Sequence, residues 1–125
     1  MVYERVNYIH LIHNTKHLIL FIDTTEKDRL KFSLFQGEKQ IDGLNKKIDK
    51  HSERLLPELE KFLKKNKVKL SGLKKVSINA GPGGFSSTRT GVAVANALNF
   101  ALGNEEDIVL PKYDREPNIT RPKAG

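Results

Sequence analysis

The chain has 125 residues, 38% hydrophobic and 30% charged, with nine glycines, five prolines and no cysteine. That balance fits one domain able to bury a core and excludes a disordered or collagen-like chain, disulfide stapling and thiolate metal sites. The formal net charge of +7 favours an anionic partner, nucleic acid first, without bearing on fold.

Residues Met1 to His17 show mixed signals and are expected to form an extension ahead of the main lobe. They lack a basic segment followed by an apolar one, so no secretory signal is read. No apolar run reaches the roughly 20 residues that cross a bilayer, so no membrane role and a cytoplasmic location are expected. His10, His13 and His17 have a spacing that a metal could use, but no Asp, Glu or Cys completes the set nearby.

Leu18 to Ile22, followed by Asp23, is a continuous apolar run that predicts a strand buried on both faces. Leu30 to Phe35 alternates apolar and polar residues and ends at the Gln36-Gly37-Glu38 turn. Lys39 to Ile48 predicts a polar edge strand, its lysines discouraging unwanted pairing. Over His51 to Asn66 the period changes: Leu55, Leu56, Leu59, Phe62 and Leu63 make one helical stripe. Ser52 is the candidate N-cap, and Pro57 is tolerable near the first turn or as a kink.

Lys74 to Asn79 predicts a fourth strand, leading through Ala80-Gly-Pro-Gly-Gly-Phe85 into a helix over Ser86 to Leu102. Ile108 to Leu110 predicts a fifth strand, and the chain from Pro111 to Gly125 predicts an extended tail. The resulting α/β order, β-β-β-α-β-α-β over residues 18–110, is the ribonuclease H-like plan shared by actin-like ATPase lobes.

Asp23 ends the first strand, where open α/β sheets place ligands. A two-metal nuclease would need further carboxylates; Glu53 or Glu60 could supply one, but Asn79 stands where the next belongs. An actin-like ATPase would need a glycine-bearing phosphate turn, which Asp23-Thr24-Thr25-Glu26 does not offer. The segment Gly81-Pro82-Gly83-Gly84-Phe85-Ser86-Ser87-Thr88-Arg89 lacks the Gly-Lys-Ser/Thr ending of a P-loop. Its helix amides, hydroxyls and Arg89 suit an anion; equally, its glycines suit a tight turn with a serine cap. Asp23, Thr24, Gly81, Gly83, Gly84, Ser86 and Arg89 form the candidate anion or nucleotide loop.

The second helix is apolar nearly all round, with a polar stripe only at Arg89, Asn96 and Asn99. Its alanines allow close approach of a partner helix, supplied by a second copy or another protein; cover by residues 1–17 is the competing reading.

Leu20-Phe-Ile-Asp-Thr-Thr25, His51-Ser-Glu-Arg-Leu-Leu-Pro57 and Gly81-Pro-Gly-Gly-Phe-Ser-Ser-Thr-Arg-Thr-Gly91 resemble, in order, three motifs of the TsaB (YeaZ) family. The resemblance implies a non-catalytic scaffold with no cofactor of its own, pairing its lobe helices with a TsaD-like catalytic subunit. A TsaE-like ATPase would join them, with ATP or ADP at the joint between the partners. The implied task is threonylcarbamoylation of tRNA adenosine 37, with tRNA met indirectly and a homodimer formed in isolation. Gly84 departs from the family's serine, and Ser86-Ser87 replaces Thr-Gly. Pro111-Lys-Tyr-Asp-Arg-Glu-Pro117 resembles the family's closing segment joined directly to the first lobe, so a short form without the second lobe is expected.

The expected partner interface comprises His51, Ser52, Leu56, Arg89, Ala93, Asn96, Ala97 and Phe100. The lysines from Lys61 to Lys75 allow phosphate contact, but without interleaved aromatics a solvated face is the commoner outcome. A small metal- or nucleotide-dependent hydrolase and a self-associating module remain as alternatives.

Overall fold

A computed structural model describes residues 17–112. The expected N-terminal extension and tail fall outside that range except for His17, Pro111 and Lys112, as do His10 and His13.

Strands β1 (Leu18–Asp23), β2 (Arg29–Gln36) and β3 (Lys39–Lys47) form an antiparallel meander. Helix α1 (His51–Lys65) then carries the chain across the sheet, and β4 (Leu73–Ile78) returns parallel to β1. Helix α2 (Phe85–Ala101) follows, and the sheet order is β3-β2-β1-β4. This is the mixed α/β arrangement that the element order predicts.

Period-two alternation sends Leu18, Leu20, Ile22, Leu30, Phe32 and Leu34 to one sheet face, where each is buried. Leu55, Leu59, Phe62 and Leu63 of α1, with Val92 and Ala95 of α2, close the core above them. The Phe32 and Phe62 rings meet at 5.4 Å between centroids, joining the sheet centre to α1. Glu58 ties α1 to β3, accepting from Lys46 at 2.8 Å and from Arg54 at 3.2 Å. The Lys46 hydrogen bond holds its carboxyl below the ordinary glutamate value against the opposing effect of burial.

Several expectations are corrected. Strand β1 is fully buried on one face only, because Ile19 and Phe21 on the other face are half-buried. Leu56 lies off the buried stripe of α1 and is exposed. Ser52 is not the N-cap: α1 begins at His51, with Lys50 at the cap position and no side-chain cap. Nor does a serine cap α2, whose cap position is Gly84.

The fifth strand over Ile108 to Leu110 is absent among the described residues. Two sets of side-chain hydrogen bonds explain this. Asn99 and Asn104 occupy backbone groups on the free edge of β4, at Val76 and Lys74. Asn96 meanwhile takes both the amide and the carbonyl of Val109, holding that segment against α2.

Candidate functional site

The end of β1 is an internally satisfied corner. Asp23 Oδ1 accepts from the Thr25 amide at 2.9 Å and its hydroxyl at 2.6 Å, while Oδ2 accepts from Asn79 Nδ2 at 3.1 Å. Burial pushes the Asp23 carboxyl up. The Thr25 and Asn79 hydrogen bonds, with the charge of Lys31, outweigh it and hold the carboxyl below 3.8. The carboxylates that a nuclease would gather around Asp23 are dispersed: Glu53 lines a cleft at the helix starts, and Glu60 an apolar groove.

Next to it, Thr24 is wholly buried and its hydroxyl donates to Ser87 O at 2.6 Å, fastening β1 to α2. The glycine loop packs tightly around this fastening. A side chain at Gly83 would come within 2.5 Å of Thr25 Cβ, and one at Gly81 would strike the Lys112 backbone. Gly81 also has φ of +109°, which disfavours any side chain there. Asp23, Thr24, Gly81 and Gly83 therefore serve the turn. This corrects their assignment to an anion loop: Asp23 is taken by Thr25 and Asn79, the Thr24 hydroxyl by Ser87 O and the Gly81 amide by Asn79 Oδ1, and the Asp23 carboxylate would repel an anion. Gly84, whose amide donates to Thr25 O at 2.9 Å, adjoins that corner, and with Ser86 and Arg89 it lines the cleft at the helix starts.

The expected partner-interface residues also divide. Leu56, Ala93, Ala97 and Phe100 are exposed on the helical layer, Leu56 at 55% and Phe100 at 64%. Ala93, Ala97 and Phe100 fall on one face of α2 by their spacing. Beside Leu56 lies a groove of about 390 Å³ lined by Leu59, Leu63, Val68, Leu70 and Leu98, with Glu60 and Lys64 also on its wall. His51 is a correction, whereas Asn96 is half-buried. His51 is buried with Nε2 2.7 Å from Arg29 O, clasping α1 to β2, and Asn96 serves Val109. Ser52 and Arg89 face the cleft, where the Arg89 guanidinium stands 5.7 Å over the Phe85 ring.

Sequence reasoning missed what the asparagines do. Asn99 had been legible as polar stripe, yet it is 1% exposed and bonded to a strand backbone. The pair Asn96 and Asn99 on an otherwise apolar helix was the available signal.

Known proteins match this lobe. A family model described as TsaD: tRNA N6-adenosine threonylcarbamoyltransferase matches residues 45–106, which hold both helices, β4 and the glycine loop. The tRNA threonylcarbamoyladenosine biosynthesis protein TsaB of Buchnera aphidicola subsp. Acyrthosiphon pisum (strain APS) is 30% identical over 87 residues. The lobe resembles TsaB and YeaZ. YeaZ from Pseudomonas aeruginosa superposes with a TM-score of 0.62 at 28% identity, covering 69% of this chain and 40% of YeaZ. A second Pseudomonas aeruginosa structure, titled an uncharacterized protein with similarity to peptidase YEAZ, gives the same TM-score and identity, covering 69% and 39%. The likeness fixes the fold as the actin-like, ribonuclease H-like plan. The TsaB alignment takes in 69% of this chain but 38% of the relative, so the chain spans about two fifths of the length of the proteins it matches.

Proposed function

We propose that the lobe is a non-catalytic scaffold in tRNA threonylcarbamoyladenosine formation, docking through α1 and α2 onto the helices of a TsaD-like catalytic subunit. The observation that carries this reading is the exposure of Leu56 beside a leucine-lined groove together with the exposure of Ala93, Ala97 and Phe100 along one face of α2. Large exposed apolar side chains on neighbouring helices mark an interaction surface, and small alanines allow helix-to-helix approach. The names of the matched relatives supply the pathway. Use of both Asp23 oxygens by Thr25 and Asn79 supports a structural role for that carboxylate. A TsaE-like ATPase joins through the same assembly, and tRNA is met through the partner.

The test is co-purification of a TsaD-like subunit from the same cell with this chain and with Ala97→Glu. The wild type retains the subunit and the variant, equally folded by circular dichroism, loses it. A TsaD-like subunit that ignores the wild-type chain, or a homodimer that it cannot compete apart, overturns the proposal.

A further inference from the structure

Helices α1 and α2 begin at the walls of one cleft of about 760 Å³, and neither has a side-chain cap. An uncapped helix start presents amide donors and the positive end of the helix dipole, so two such starts favour negative charge between them. A second, independent feature marks the same place. Ser87 is 5% exposed, lines the cleft, and its Oγ has no hydrogen-bond partner. A buried hydroxyl left unpaired is costly and calls for an acceptor.

Gly84 shapes the seat for that acceptor. A Cβ there would lie 3.0 Å from Ser87 Oγ, 3.4 Å from Lys27 Cγ and 3.6 Å from Thr25 O, so glycine keeps the approach to the hydroxyl and the lysine stem at the start of α2 uncrowded. Lys27, Lys50 and Arg89 line the cleft against Asp49 and Glu53, three cations to two carboxylates. That small positive excess suits one compact anion better than a long polyanion. A phosphate monoester spreads three terminal oxygens tetrahedrally and so reaches donors from both helix starts more readily than a carboxylate's two coplanar oxygens, and the cleft leaves room for the rest of a small molecule.

We propose that the cleft between the starts of α1 and α2 binds a small-molecule phosphate monoester, its phosphate seated over Gly84 against Ser87 Oγ with Lys27 and Arg89 alongside. Ser52 and Arg89 precede Leu56 and Ala93 by one helical turn, so the cleft adjoins the Leu56–Phe100 face, and phosphate binding is read on the chain alone, independently of the scaffold role.

The test is an amide NMR titration of the full chain with inorganic phosphate at constant ionic strength, with chloride as control. Saturable shifts in residues 51–53 and 84–90 are expected with phosphate alone. Arg89→Gln weakens binding roughly tenfold. Gly84→Ser crowds the approach to Ser87 Oγ, supplies its own cap and abolishes the shifts while the chain stays folded by circular dichroism. The proposal is overturned by absence of a saturable shift, by undiminished binding in Gly84→Ser, or by shifts spread over the Lys61–Lys75 surface. It is equally overturned if an RNA oligonucleotide produces the same shifts at lower concentration than phosphate.

Discussion

Asn99 on α2 and Val76 on β4 exchange two hydrogen bonds, Nδ2 donating to the Val76 carbonyl at 2.7 Å and Oδ1 accepting from its amide at 2.9 Å. One helix side chain thereby does what a neighbouring strand would do for the margin of the sheet, and both residues are buried.

Replacing Asn99 with alanine strands both backbone groups of Val76 away from water. Each unpaired buried group costs about 1–3 kcal/mol, so a loss of roughly 2–4 kcal/mol is expected. Urea denaturation with an unchanged m-value measures it; a loss below about 0.5 kcal/mol would mean that the two bonds carry little.

Gly91 is where α2 crosses the end of β1. A Cβ there would collide with Thr24 Oγ1 and lie 3.1 Å from Thr24 Cγ2 and 3.2 Å from Ile78 Cδ1. Gly91→Ala should destabilise by about 1–3 kcal/mol through overpacking. Combined with Thr24→Ala, which removes the colliding atoms, the loss should be smaller than the sum of the single losses; strict additivity in the double-mutant cycle would refute the contact.

Asp23 makes stability depend on acid. Its folded carboxyl sits below 3.8, so folding favours the ionised form. The contribution is complete above the unfolded value and fades as pH falls through the folded one. Asp23→Asn should therefore have a lower urea midpoint than wild type near pH 7, with the gap closing as the pH drops below about 4. A gap that stayed constant across that range would show that ionisation plays no part.

Phe100 separates binding from folding. Its ring is 64% exposed, so Phe100→Ser should change stability by no more than about 0.5 kcal/mol while abolishing retention of the TsaD-like subunit. A thermal melt beside the pull-down decides it: a large fall in melting temperature would place the ring in the fold instead of at the interface.

Strands β1 to β4 and both helices were legible because their cues are periodic and local. Alternation placed Leu30, Phe32 and Leu34 inward, and the change of period after Ile48 announced α1. What stayed hidden depended on partners distant in sequence. His51 meets Arg29 across 22 positions, and Asn99 meets Val76 across 23. The apolar cluster Ile108-Val-Leu110 has strand composition, but composition does not reveal that Asn96 will claim Val109 before a strand can pair. The glycine loop was legible as a loop, whereas the division of labour between Gly83 and Gly84 required seeing Thr25 against the first and Ser87 Oγ and the Lys27 stem beside the second.

Asparagines sheathe the margin of the sheet at Lys74 and Val76, and lysines crowd the opposite margin along β3. An extended peptide designed to grip this lobe through its main chain would find little foothold on either side. A competitor built as a short stapled helix, set between Leu56 and Leu98, would have a hold.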